Sequence, residues 1–134
     1  MSPRRYVKHI VLHWLPLILW MGWIYYLSEQ PSLPNLGRGM GVSDDLFNYS
    51  AHVLISGILT WLLWRVLSIY TRASPAINGA GLLATLFAAG DEIHQFFTVG
   101  RDARLEDGAA NLAGILLVVA LLYLWQRKTR KSEI

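Results

Sequence analysis

Four stretches without a single Lys, Arg, Asp or Glu constrain this chain more than any other feature: Ile10–Leu27, Leu46–Trp64, Ala73–Gly90 and Gly108–Trp125. Each runs for 18 or 19 residues, and about 20 residues of helix cross the hydrocarbon core of a bilayer. A soluble four-helix bundle needs polar outer faces, which these segments lack. A composition of 54% hydrophobic and only 16% charged residues excludes an ordinary soluble domain on the same grounds. The sequence therefore predicts an all-α, four-transmembrane-helix bundle. It forms a single membrane domain over residues 1–134, with helices at about 8–27, 46–70, 76–97 and 107–126.

The segments differ in detail. Helix one carries Pro16 inside it and the aromatic anchors Trp14, Trp20, Trp23, Tyr25 and Tyr26. Basic residues precede it, as in a secretory signal. It ends, however, in Tyr25-Tyr26-Leu27-Ser28 without a small-residue cleavage site, and further spans follow, so it reads as uncleaved. Pro31, Pro34, Gly37, Gly39 and Gly41 make the following segment a surface loop or lid. Ser43, Asp44 and Asp45 then supply capping chemistry for helix two. Gly79, Ala80, Gly81 and Ala84 allow close approach to helix three. With no cysteine, disulfide and thiolate chemistry are absent.

Charge fixes the expected orientation. Of twelve Lys and Arg, nine lie in the two terminal segments, near the end of helix two and in the loop after it; only Arg38, Arg101 and Arg104 lie at the opposite end. The positive-inside rule puts both termini in the cytoplasm. Eight of the nine acidic residues, all except Glu133, then lie at or near the outer face. The basic balance thus reflects topology and contact with anionic membrane lipid. A nucleic-acid partner would need a basic face beside a groove-sized element, and none is present.

Polar residues converge near that outer face. Asn48 and His52, Asp91 and Gln95, and Asp107 and Asn111 are each four residues apart, with His94 on the side of Asp91. Spacing of three or four puts side chains on one helix face. At ~1.5 Å per residue, Asp91 lies roughly 9 Å inside the end of helix three and Asn111 about 6 Å beyond Asp107, so the pairs share one slab between helices two, three and four. Asp91, Glu92 and Asp107 against Arg101 leave an excess of two negative charges. Proton uptake, a charged His52 or His94, Arg104 or a bound cation must answer it.

Each residue also has a structural reading. Asp107 and Glu106 can cap a helix, Asn111 can bridge two helices, His52 can be an interface histidine, and Arg101 can hold its loop against Asp102 or Glu106. Asp91 and Glu92, adjacent inside an apolar helix, have no capping role and point most strongly to a site. Asp91, Glu92 and His52 suit acid–base catalysis, with Gln95, Arg101, Asp107 and Asn111 as binding groups and Arg101 holding a phosphate or carboxylate. A non-catalytic polar pocket fits the same groups. Asp91-x-x-His94 resembles a metal-binding step, but alone it assigns no metal ligand. Neither Ser50 nor Ser56 has a nucleophile motif beside it.

Asp91-Glu92-Ile93-His94-Gln95, Gly100-Arg101, Asp107, Asn111 and Gly114 resemble the signature of the VanZ-like family of small bacterial integral membrane proteins, D-E-x-x-Q, G-R and D-x-x-x-N-x-x-G. Ser28-Glu29-Gln30-Pro31 and His52 are weaker matches that extend the resemblance over most of the chain. Two departures stand out: Asn48-Tyr49 replaces the family's Asp-Lys, and Val99-Gly100-Arg101 replaces its Pro-Gly-Arg. The resemblance implies a bacterial cytoplasmic membrane, action at the cell-envelope side and a link to resistance against the glycopeptide teicoplanin. It names no cofactor and no reaction. The expected function is a VanZ-like envelope protein that binds an envelope precursor, glycopeptide or cation. The alternatives are a membrane-embedded enzyme acting on a lipid-linked or phosphate-bearing substrate, and a small proton-coupled transporter working as a homodimer.

Overall fold

The computed structural model describes residues 3–30, 41–100 and 104–132. All regular structure among them is helical: α1 (Pro3–Ser28), α2 (Asp44–Leu67), α3 (Ala73–Phe97) and α4 (Leu105–Ser132). Each is long and apolar enough to cross a membrane. Pro31, Pro34, Gly37 and Gly39 of the outer loop, and Arg38, Arg101 and Asp102, lie outside the described residues.

α1 starts at Pro3 rather than near residue 8, and three further helix ends differ from the expected ones for local reasons. α2 stops at Leu67 rather than near residue 70, where the amides of Ile69 and Tyr70 tighten into i−3 bonds to Val66 and Leu67. α3 starts at Ala73 rather than 76, with Pro75 in its first turn; the amide that proline lacks has no intrahelical partner there anyway. α4 runs on through the basic tail to Ser132, since Lys, Arg and Gln are good helix formers. At the start of α2, Ser43 Oγ accepts from the Leu46 amide at 3.3 Å, the cap its sequence predicts.

α2 and α4 form the most extensive pair and run parallel. Asn48 meets Asp107, His52 meets Asn111 and Trp64 meets Trp125, a nearly constant register along both helices. Gly114 makes this approach possible: a methyl there would lie 2.9 Å from the Val53 carbonyl carbon and closer still to its oxygen and to Ser56 Oγ. α3 packs through Ala76, Ala80 and Ala84, all fully buried. The core combines Leu59, Leu62, Leu63 and Val66 of α2 with Ile115 of α4 and Leu17 and Ile24 of α1. Large apolar side chains cover the outside, as in a bundle solvated by lipid.

Polar clasps close the end of the bundle that carries both termini. Trp14 Nε1 donates to Tyr70 Oη at 3.0 Å, Tyr123 Oη to Asn78 Oδ1 at 2.7 Å, and Ser74 bonds Gln126. α1 is the most loosely held helix, packing on α2 and α3 with Trp20 Nε1 donating to the Ile55 carbonyl at 3.1 Å.

Candidate functional site

The other end of the bundle gathers the polar groups. Asp91 and Glu92 are adjacent, but successive helical residues point about 100° apart. They therefore reach different helices. Asp91 Oδ1 accepts from Ser28 Oγ of α1 at 2.5 Å, and its Oδ2 accepts from Gln95 Nε2, one turn later on α3, at 2.8 Å. Gln95 also donates to Ser28 Oγ at 3.2 Å, which closes a three-membered ring of bonds. Ser28 and Gln95 are buried, so these bonds satisfy polar groups that bulk water does not reach.

Glu92 turns to α4, where its Oε1 accepts from Asn111 Nδ2 at 3.0 Å. Asn111 Oδ1 lies 3.3 Å from His52 Nδ1, and His52 Nε2 lies 3.8 Å from Asp107 Oδ2. Asp107 Oδ1 accepts from Asn48 Nδ2 at 2.9 Å. A chain of polar contacts thus runs Glu92–Asn111–His52–Asp107–Asn48 across three helices, hydrogen-bonded at each step except His52–Asp107, where the two side chains only face each other. The Arg104 carbonyl receives the Asp107 and Gly108 amides at the start of α4. Asp107 therefore lies inside the first turn, with its carboxylate engaged by α2 and not by capping.

The structure brings together Asp91, Glu92, His52, Gln95, Asp107 and Asn111. It adds α1 to the three helices expected, because Ser28 anchors Asp91 and Glu29 meets His94 at 2.5 Å. His94 also stacks on Tyr25, with centroids 5.2 Å apart. It turns to α1 with partners other than those of Asp91, so Asp91-x-x-His94 does not act as one bidentate step. Among the described residues, no three His, Cys, Asp or Glu side chains converge in a metal-binding arrangement. Arg101, expected as an anion-binding group, lies outside the described residues.

Arg104 is the described cation nearest this end, and it is bound to Asp45 at 3.2 Å. The hydrogen bond and charge of Asp45 push the exposed guanidinium further up, with weaker help from Asp107 and Glu106. It remains charged at any relevant pH.

A cavity of about 50 Å³ lies where the two networks face each other, with room for a few waters. Ser28, Asn48, His52, Asp91, Gln95 and Asn111 form its polar wall, and Ile24, Ile55, Leu59 and Phe87 its deeper, apolar part. Beneath it lies the packed core of Leu62, Leu63, Val66 and Ala80. Sequence spacing identified most of these residues. Ser28 was legible only through its family match, since it closes an apolar run like any interfacial serine. Asn48 was placed on the right face, without its partner.

Four apolar helices with a buried polar network at one end define a multi-pass membrane protein. The VanZ/LLP1 family model matches residues 12–126, and the chain belongs to that family. No curated protein and no solved structure matches it.

Proposed function

We propose that this VanZ-family protein sits in the bacterial cytoplasmic membrane with both termini in the cytoplasm. Its polar cavity then faces the cell envelope, where it binds an envelope component and limits glycopeptide access. One observation carries this reading: side chains from all four helices join in two polar networks, and Ser28, Asp91 and Gln95 of one and Asn48, His52 and Asn111 of the other line a single cavity. Donors from neighbouring helices fix the carboxylates of Asp91, Glu92 and Asp107 in place, which is the preorganisation a binding site requires. The excess of carboxylate favours an amine- or hydroxyl-bearing ligand or a cation. Among the described residues, the cation nearest the cavity, Arg104, is already engaged with Asp45, so a bare phosphate is less favoured.

The test is to express the chain in a glycopeptide-sensitive bacterium and measure teicoplanin susceptibility. Asp91→Asn and Arg101→Ala should abolish any protection while membrane insertion stays normal. Full protection by both variants, at wild-type protein levels, would refute the assigned site.

One observation favours the enzyme reading: His52 Nδ1 faces the Asn111 oxygen, while its Nε2 lies 3.8 Å from the Asp107 carboxylate, beyond hydrogen-bond distance, and can exchange a proton with a group bound in the cavity His52 lines. In that case Asp91, Glu92 and His52 are the acid–base groups. His52→Gln should then stop turnover of a lipid-linked substrate without weakening its binding; equal loss of both would favour the binding reading.

A further inference from the structure

A second concave surface lies on the outside of the bundle, away from the polar cavity. α2 and α4 leave between them an apolar groove of about 570 Å³. Gly57 and Gly114 form part of its lining, and Leu54, Trp61, Leu121 and Trp125 stand exposed along its sides. The groove runs from the level of Val53 to that of Trp64 and Trp125, eleven residues or roughly 16 Å along α2. Its walls belong to two membrane-spanning helices, so the medium that meets it is lipid.

The end of the groove near the termini is basic. Arg65 follows Trp61 by four residues and Ile58 by seven, so it stands on the groove face of α2. Its guanidinium is held over the Trp61 ring, 4.9 Å from the centroid. Lys128 follows Trp125 by three residues and Leu121 by seven on the groove face of α4. In the register that pairs Trp64 with Trp125, these two cations differ in height by about two residues, or ~3 Å. Among the described residues no carboxylate lies at this end: Glu29, Asp44, Asp45, Asp91, Glu92, Glu106 and Asp107 all belong to the other.

We propose that this groove is a binding site for one anionic phospholipid, whose acyl chain lies along Leu54, Trp61 and Leu121 while Arg65 and Lys128 hold its phosphate. Apolar walls leading to a pair of cations that no described carboxylate opposes complement a phosphate-headed acyl chain. The site is separate from the polar cavity and does not depend on what that cavity binds.

The test compares phosphatidylglycerol with phosphatidylcholine of the same chains. The full chain is purified in mild detergent, and bound lipid is counted by native mass spectrometry. Two juxtamembrane cations give a preference for phosphatidylglycerol of about thirtyfold. Arg65→Gln with Lys128→Gln should abolish it. Arg127→Gln with Arg130→Gln removes the same charge from the opposite face of α4 and should change it less than about threefold. Leu121→Trp, which fills the groove, should remove one bound lipid of either kind, and Asp91→Asn should change nothing. Equal loss in both charge pairs would make the attraction a diffuse surface effect and overturn the proposal. So would an unchanged preference in the Arg65/Lys128 variant. Cross-linking that puts a second copy of the chain against Leu117 in phosphatidylglycerol bilayers would overturn it as well.

Discussion

Replacing Gly114 by alanine tests whether the close approach of α2 and α4 holds the candidate site together. The new methyl would lie 2.9 Å from the Val53 carbonyl carbon, where ordinary contact begins at 3.4 Å, so the helices must part locally by at least 0.5 Å (3.4 − 2.9). The backbone oxygen and Ser56 Oγ, closer still, demand more. A radial gap of 0.5–1 Å forfeits roughly a quarter to a half of each packing contact across it. Overpacking of this kind costs about 1–3 kcal/mol. The Asn48–Asp107 and His52–Asn111 contacts, at 2.9 and 3.3 Å, lie within two turns of Gly114 and would stretch beyond bonding distance. Interhelical hydrogen bonds in membranes contribute about 0.6 kcal/mol each. The expected loss is therefore about 2–4 kcal/mol, read from reversible unfolding in mixed micelles as detergent composition is titrated. Gly22→Ala, where a methyl meets nothing within 4 Å, is the control and should be neutral or slightly stabilising. A Gly114→Ala protein within about 0.5 kcal/mol of wild type would refute the reasoning, because that is the range of substitutions that disturb no packing.

Other substitutions probe the network. Ser28→Ala removes the α1 donor to Asp91 and should cost about 1 kcal/mol in the same assay. It should also raise the rate at which cysteines placed on α1 and α3 lose cross-linking at the site end. Asn48→Asp puts a carboxylate where an amide now donates to Asp107 at 2.9 Å. It should destabilise at neutral pH by more than about 1 kcal/mol and recover as pH falls, since protonating either carboxylate removes the repulsion. Tyr49→Lys, which restores the other residue of the family pattern, should offset part of that loss. Glu29→Gln, in a half-exposed pair with His94, should cost under about 1 kcal/mol and become neutral at high salt.

The fold was legible because lipid imposes a coarse rule: charge-free runs of the right length must be helices. The face-sharing of Asp91 with Gln95, of Asn48 with His52 and of Asp107 with Asn111 was legible because 3.6 residues per turn is a fixed geometry. Partner choice was not. Asp91 and Glu92 look like a single acidic pair in the sequence, yet one bonds α1 and the other α4. Deciding that requires the rotation of α3 about its axis, which apolar composition on every face leaves unspecified. The same holds for the parallel register of α2 and α4, which Gly114 fixes through a contact with a backbone oxygen in another helix.

That parallel arrangement also shapes the electric field inside the cavity. α2 and α4 both begin at the site end, so their backbone dipoles point the same way and place roughly half a positive charge each beside Asn48 and Asp107. α1 finishes at Ser28 and presents the negative end of its dipole beside Ser28 and the Asp91 carboxylate it bonds, while the end of α3 lies about 9 Å past Asp91, too far to act on it. The cavity is therefore polarised from one wall to the other. Asp107 has a built-in counter-charge, whereas Asp91 has neutral hydrogen-bond donors from Ser28 and Gln95 and an unfavourable helix end behind it. If the cavity takes a cation or ammonium group, as proposed, this field favours the α1–α3 wall, and Asp91 is the carboxylate there that would meet its charge.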